Sequence, residues 1–140
     1  MYDTISSRFN SQGKEVKGGK EMKVIKTSDI EAQEVTSNVL RGKVTSQDII
    51  GESSEELAVT IVNFHKGTVR GLNAHTFDQV LYVTEGRGII ATETEEVTVT
   101  PGTFVFIPAG EKHRHSATKD SVFSHITIRI SRGKLAPRGA

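Results

Sequence analysis

The sequence predicts an all-β fold on three observations. The 140 residues include 14 Val, 12 Ile and 15 Thr but only 5 Leu, and β-branched residues favour pleated, half-buried strands. No long stretch of apolar residues repeats with the 3.6-residue period of a helix. Short apolar runs instead alternate with turns that contain Gly or Pro, a pattern typical of a sandwich or closed barrel. The length is that of a single domain.

The predicted strands follow one another along the chain. Val24-Ile25 is the first, and residues 39–50 alternate loosely after a turn at residues 28–31. Phe104 and Phe106 are expected in the core rather than as a platform for a substrate. The remaining predicted strands, after a turn at residues 51–54, cover residues 57–64, 79–84, 88–93, 96–100, 103–108 and 122–130.

The pattern predicts three regions. Residues 1–21 are polar and rich in Lys and Gly, with almost nothing to bury, and are interpreted as a tail or extension. The β-barrel domain is expected over residues 22–134, and residues 135–140 are expected to be a C-terminal tail.

Composition excludes several classes of function. Without Cys, the chain has no disulfides, thiolate metal sites or cysteine nucleophile. With 18 basic and 17 acidic residues, nothing indicates binding to nucleic acid or to an anionic membrane. No apolar run approaches the roughly 18 residues of a membrane span. The N-terminal residues carry Asp3 and no apolar segment of a secretory signal, so a cytoplasmic protein is expected.

Two segments place polar residues at fixed spacings within the strand pattern. They are GTVRGLNAHTFDQVLYVTEG, residues 67–86, and GTFVFIPAGEKH, residues 102–113. Residues i and i+2 of a strand share a face, and a turn around Pro108 precedes the last histidine. Four side chains from three strands could therefore converge inside a barrel as metal ligands: Asn73, His75, Gln79 and His113.

These segments resemble the two cupin motifs, Gly-x5-His-x-His-x3/4-Glu-x6-Gly and Gly-x5-Pro-x-Gly-x2-His-x3-Asn. Every spacing is kept, whereas the residues differ at Asn73, Gln79 and Ala117. The resemblance extends from Val39 to Ile130. It implies a single-domain double-stranded β-helix, the cupin jelly-roll barrel.

The segments NAHTFDQ and EKHRHSATKDSVFSHITI are similar to a cupin subgroup with Gln in its first motif, which includes manganese-dependent hydroxynitrile lyases. The resemblance to these lyases implies that Asn73, His75, Gln79 and His113 hold the metal and that His125 transfers a proton. Thr60 and Val62 lie on the strand that lines the lyase pocket, although such a valine is more often plain core.

Two further residues are candidates for the pocket. His115 shares the face of His113 if the strand continues, and lies either at the pocket mouth or in solvent. The resemblance turns Arg129 inward together with His125, where Arg129 could orient an anion. The isoleucines at 126, 128 and 130 then face outward and need a cover, either the second sheet or a partner subunit. A homodimer is expected for this reason.

The ligand set favours one divalent metal ion, Mn, Fe, Ni or Zn, without identifying it. The absence of the family's Glu leaves more positive charge on the metal, which favours a Lewis acid over an iron dioxygenase. Asn73 offers a weaker amide oxygen, and could instead hydrogen-bond a bound water or a neighbouring strand.

Three functions follow from these observations. The first is a metal-binding lyase or isomerase that acts as a Lewis acid on a small carbonyl-containing molecule. The second is a metal-dependent dioxygenase, and the third is a non-catalytic barrel that binds a small ligand beside a degenerate metal site. The sequence does not decide whether the protein is an enzyme.

Overall fold

The computed structural model describes residues 8–9, 15–16 and 21–130. These ranges form short strands and two 3-10 turns, Thr27–Asp29 and Gly51–Ser53, where the sequence predicts turns. Within them, no helix is long and apolar enough to cross a bilayer. The strands are β1 (Arg8–Phe9), β2 (Glu15–Val16), β3 (Gln33–Val35), β4 (Leu40–Arg41), β5 (Val44–Asp48), β6 (Leu57–Phe64), β7 (Val69–Arg70), β8 (Gln79–Gly86), β9 (Gly88–Ala91), β10 (Glu96–Val99), β11 (Phe104–Ile107), β12 (Arg114–Ala117) and β13 (Phe123–Ile130).

Two antiparallel sheets build the domain. The six-stranded sheet has the order β11-β8-β13-β6-β5-β3, and the five-stranded sheet has the order β10-β9-β12-β7-β4. Strands far apart in sequence are neighbours, as where β13 lies between β6 and β8. This arrangement is a jelly-roll, which confirms the predicted all-β, single-domain fold class.

The strand prediction is most accurate for the long strands. β6 has its predicted bounds, and β13 begins one residue later than predicted. The sequence pattern missed five short strands, β1, β2, β3, β7 and β12. The strand expected at Val24-Ile25 is wrong, because Val24 is exposed in irregular chain before the first 3-10 turn.

Residues 39–50 form two strands rather than one, and Gly42 separates them. Its φ of 118° is one that L-residues rarely adopt, and an added Cβ would clash with the Thr68 side chain. The buried Thr68 Oγ1 accepts a hydrogen bond from the Lys43 backbone N–H at 3.1 Å. The break at Gly42 lets β4 and β5 join different sheets.

Both predicted tails lie largely beyond the described residues. Within residues 1–21, β1 pairs with β2 as a two-stranded antiparallel ribbon. The rest of residues 1–20, and residues 131–140 with the proposed C-terminal tail, are outside the described ranges. The domain boundaries therefore stay predictions.

The interior between the sheets has an apolar part and a polar part. Phe64 and Phe123 belong to the apolar core, and their ring centroids lie 5.7 Å apart. On β8, the buried Leu81 and Val83 continue into the buried Gln79, so the core runs directly into the polar part. The buried residues of that part include His75, Gln79, His113, His115, His125 and Thr127.

β13 presents a polar face to the interior, as the resemblance implied. His125 and Thr127 are buried, whereas Ile128 and Ile130 are 39% and 53% exposed. Alternate residues of a strand face opposite sides, so a strand that turns His125 inward must turn its isoleucines outward.

The outer face of the six-stranded sheet is largely apolar across β11, β8, β13 and β6. Phe106 lies opposite Val80 in the register of β11 with β8. Phe104 and Phe106 are 69% and 62% exposed, so the expectation that they belong to the core is wrong. Val105 and Ile107 occupy the inward positions of β11 instead. Every residue of this strand is apolar, so the sequence pattern does not show which alternate pair faces the core.

Candidate metal centre and adjoining cavity

Backbone pairing joins the two motifs. The Asn73 N–H donates to the His113 carbonyl at 2.8 Å, and the His113 N–H donates to the Asn73 carbonyl at 2.9 Å. The Gly110 N–H donates to the His75 carbonyl at 2.8 Å. These bonds hold the motif segments side by side, and Gln79 enters from the start of β8.

Three side chains converge where the motifs meet. His113 Nδ1 lies 2.9 Å from the Glu111 carbonyl, so Nδ1 donates its proton there and Nε2 keeps a lone pair. That Nε2 lies 3.4 Å from Gln79 Nε2. The His75 ring centroid is 5.2 Å from that of His113, and the buried His75 Nε2 has no hydrogen-bond partner among the described residues.

This donor set fits a divalent first-row metal with a small number of ligands. Two imidazole nitrogens and an amide oxygen are suitable donors. A metal-binding imidazole usually donates its other ring N–H to a hydrogen-bond acceptor, as His113 Nδ1 does to the Glu111 carbonyl. No three His, Cys, Asp or Glu side chains within the described ranges are placed to hold a metal. A site at this position therefore needs the amide oxygen of Gln79, which reaches the site when the amide group turns over, because Nε2 is the atom that faces His113.

Asn73 is half-buried at the edge of this group. Its Oδ1 accepts a hydrogen bond from the Ala74 backbone N–H at 2.9 Å. It borders a narrow cleft together with Arg70, His75 and His113. An amide oxygen has a second lone pair, so ligation by Asn73 stays a prediction.

A row of four histidine rings leads from the motifs into the barrel. The ring centroids of His75, His113, His115 and His125 lie successively 5.2, 5.0 and 5.3 Å apart. His115 is buried, so it faces the interior rather than solvent. His125 Nδ1 lies 3.1 Å from Thr127 Oγ1. The buried Nε2 atoms of His115 and His125 have no hydrogen-bond partner in the described part of the chain.

A cavity of about 430 Å³ adjoins the last two histidines of this row. Four of the predicted site residues line it together, namely Thr60, Val62, His115 and His125. Gln79 also lines it, so the cavity reaches the convergent donors.

Arg129 does not line the cavity of His125, although the two residues were predicted to share one pocket. It lines a neighbouring cavity of about 520 Å³, and its guanidinium carbon lies 4.8 Å from the centroid of the Phe77 ring. The Phe77 ring stacks on His75, with 4.9 Å between centroids and 9° between planes. Gln79 lines both cavities and stands between the two groups.

Burial keeps these histidines neutral. Desolvation, with a smaller effect of Arg70, lowers the pKa of His125 to about 3. Desolvation and then the charge of His113 lower the pKa of His75 to about 4. Desolvation also holds the pKa of His115 well below its usual range. At pH 7 these imidazoles have lone pairs for a metal ion or a proton.

Arg70 is the charged residue among the cavity residues that the sequence interpretation missed. It belongs to β7 and lines the cavity of His115 and His125, and its Nε atom is buried. The sequence alone does not mark it, because the inward face of β7 is known only from the structure, where Thr68 is buried, Val69 is exposed and Arg70 shares the face of Thr68.

Several solved structures share this jelly-roll. The polyketide cyclase RemF from Streptomyces resistomycificus has a TM-score of 0.73 and 19% identity, covering 79% of this chain and 80% of that one. A cupin-like protein from Thermotoga maritima has a TM-score of 0.67 and 25% identity, covering 74% and 80%. KdgF from Halomonas sp. has a TM-score of 0.68 and 19% identity, covering 81% and 97%. No curated protein matches the sequence significantly.

Fold and site together define a jelly-roll barrel with a histidine-lined interior. The family model of the cupin domain matches residues 60–129, half of the chain. The chain belongs to the cupin family, which confirms the resemblance drawn from its two motifs. The narrower likeness to hydroxynitrile lyases stays a prediction.

Proposed function

We propose that the chain is a cytoplasmic, metal-binding cupin enzyme, a lyase or isomerase that acts on a small carbonyl-containing molecule. The observation that carries this proposal is the convergence of His75, Gln79 and His113 beside a cavity that holds His125. Membership of the cupin family and the structural likeness to a polyketide cyclase support a metal-type cupin enzyme.

The ligand residues determine which chemistry suits this centre. A divalent metal, Mn, Fe, Ni or Zn, would polarise a carbonyl oxygen as a Lewis acid when bound. His75 and His113 would hold it through Nε2 and Gln79 through its amide oxygen, with Asn73 as a weaker fourth ligand. None of these side chains is anionic, so the charge of the metal is not offset. This favours a Lewis acid over the alternative dioxygenase.

His125 is the residue we assign to proton transfer. Its Nδ1 is anchored by the Thr127 hydroxyl, and its Nε2 is buried at the cavity without a partner among the described residues. The imidazole is neutral at pH 7 because burial lowers its pKa to about 3. It can accept a proton from a bound substrate and return it, whereas Thr60, Val62 and His115 shape the cavity.

A barrel that binds a small ligand without catalysis is the second candidate. It is favoured by Asn73, which replaces a family histidine and engages its Oδ1 with the Ala74 N–H. In that case an Asn73→His variant would gain metal binding that the wild-type protein lacks.

Metal content tests the proposed function directly. Protein purified without a chelator or a His tag is analysed by elemental mass spectrometry. About one Mn, Fe, Ni or Zn per chain is expected, because three donors converge at one point. The ion should be lost in His113→Ala and retained in His65→Ala, which removes an exposed histidine.

The outcome separates the candidates. Metal that survives in His113→Ala would contradict the assigned site. A folded wild-type protein that takes up none of the four metals would overturn the enzyme proposal and leave the ligand-binding barrel.

We also propose that a second copy of the chain covers the outer face of the six-stranded sheet. Large apolar residues lie together there, and with about 150–200 Å² for each side chain they expose about 500 Å². Half-buried neighbours extend the patch toward the roughly 800 Å² per partner of a standard interface. The residues that contribute most are Phe104, Phe106, Ile130, Leu57 and Ile128.

Sedimentation velocity tests the dimer. Wild-type protein should have about twice the 15.3 kDa of one chain. Phe106→Glu should be monomeric, and Leu72→Glu, at an exposed leucine outside the two sheets, should remain dimeric. A monomeric wild-type protein, or a dimer unaffected by Phe106→Glu, would contradict the proposal.

A further inference from the structure

Arg70 is a cationic side chain without an anionic partner in the part of the chain that the structure describes. Its Nε atom is buried and has no hydrogen-bond partner in the described part of the chain. Among the same residues, no carboxylate forms a salt bridge with it. Desolvation by burial lowers its pKa below the usual arginine value. An arginine nevertheless remains charged at neutral pH.

Within the described ranges, the cavity that Arg70 lines has no negatively charged side chain, since its lining includes no Asp or Glu. Among these residues, Arg70 is the permanently charged one. The same lining includes hydroxyl groups that can donate further hydrogen bonds to a ligand, namely those of Thr36, Ser37, Ser46, Thr60 and Thr127.

Arg70 is half-buried, and a partly desolvated cation that lacks a counter-ion is costly, so an anion in the cavity would offset that cost. The geometry of arginine narrows the class of anion. Nε–H and the neighbouring Nη–H point in parallel, which matches the two oxygens of a carboxylate. Arg70 lines the cavity and its Nε–H has no hydrogen-bond partner among the described residues, so a carboxylate bound beside it would supply the missing acceptor.

We propose that the cavity binds a small organic carboxylate, with Arg70 as the partner of the carboxylate group. As a statement about substrate, this rests on the proposed function, because it names the class of molecule that the enzyme takes. As a statement about binding, it needs no metal. Arg129 is a separate cation, since it lines the neighbouring cavity and stacks on Phe77.

The test uses the metal-free wild-type protein, prepared with a chelator, and isothermal titration calorimetry at pH 7.5. Two pairs of probes of equal shape are compared, benzoate with benzamide and butyrate with butyramide. Each carboxylate should bind at least about tenfold more tightly than its amide, because hydrogen bonds to charged groups are the stronger ones. Equal affinity within both pairs, or no binding of either carboxylate, would overturn the proposal.

Inorganic phosphate is titrated as a third kind of probe. It should bind more weakly than benzoate, since the hydroxyl-lined cavity also accommodates the organic part of the ligand. Tighter binding of phosphate than of both carboxylates would overturn the assignment to carboxylates.

Variants locate the site. Arg70→Gln should weaken benzoate binding about 10- to 100-fold and leave benzamide unchanged. The benzoate affinity of Arg70→Lys should lie between those of wild type and Arg70→Gln, because lysine keeps the charge and loses the parallel donors. Arg87→Gln, at an exposed arginine, should bind like wild type. Unchanged benzoate binding in Arg70→Gln would overturn the proposal, and if that variant fails to fold, the probe pairs with wild-type protein still decide.

Metal analysis of the same samples separates this inference from the proposed function. Benzoate binding by a wild-type protein that never takes up metal would support the carboxylate site and contradict the metalloenzyme. A metal-loaded protein that binds no carboxylate after chelation would do the reverse.

Discussion

Acid should destabilise this barrel well before its carboxylates are protonated, and His125 is the clearest contributor. In the unfolded chain its imidazole takes up a proton near the usual pKa of about 6.5. In the folded chain it does so only near a pKa of about 3, because the side chain is buried. Between these values the unfolded chain binds a proton that the folded chain does not. The free energy of unfolding therefore falls as the pH falls.

The size of the effect follows from the two pKa values. Between pH 8 and pH 5, this one proton removes about 2 kcal/mol from the free energy of unfolding. The stability is complete above about pH 6.5 and is lost progressively down to about pH 3. A domain is typically stable by only about 5–15 kcal/mol, so this loss from a single buried imidazole is measurable.

Urea unfolding of chelator-treated protein at pH 8 and pH 5 measures this loss. His125→Gln retains a polar side chain that can reach Thr127 but does not titrate, so its stability should fall by about 2 kcal/mol less than that of wild type. His65→Gln, at an exposed histidine, should behave like wild type. An equal loss in wild type and His125→Gln would refute the reasoning.

Three further predictions concern packing and metal. Gly88→Ala would place a Cβ 2.5 Å from ring atoms of the buried Phe123, so it should cost about 1–3 kcal/mol in urea unfolding. Phe123→Leu in the same chain should restore part of that loss, and an unaffected single variant would contradict the packing. Gly86→Ala should yield no folded protein by circular dichroism, because φ is 76° and the Cβ would clash with the Val122 carbonyl. With free metal at about 100 times its Kd, chelation should remove about 2.7 kcal/mol of stability in thermal melts. His113→Ala should show no such change, and an equal change in that variant would argue against the site.

The fold was predictable from local pattern because strand alternation and turn residues are properties of neighbouring residues. β6 and β8 combine long apolar runs with turn residues at their ends, so both were found. β7 and β12 were missed because they are short, with two and four residues. Their existence depends on pairing with each other across the five-stranded sheet.

The candidate ligands could be named from spacing, whereas their surroundings could not. Residues two apart share a face, which made His115 a companion of His113 and Thr127 a companion of His125. Whether such a face is inside or outside depends on which sheet covers it. The sequence therefore did not show whether His115 faces the pocket or solvent. Its burial in the structure shows that it faces the interior.

The sequence alone determined that this is a cupin barrel with two histidines and a glutamine at the motif positions, because those spacings belong to local strand and turn geometry. Only the tertiary structure placed Arg70 at the cavity, moved Arg129 to its neighbour and turned Phe106 outward. A strand with apolar residues on both faces, or with an isolated arginine, does not specify its own inner side. The packing of one sheet against the other does.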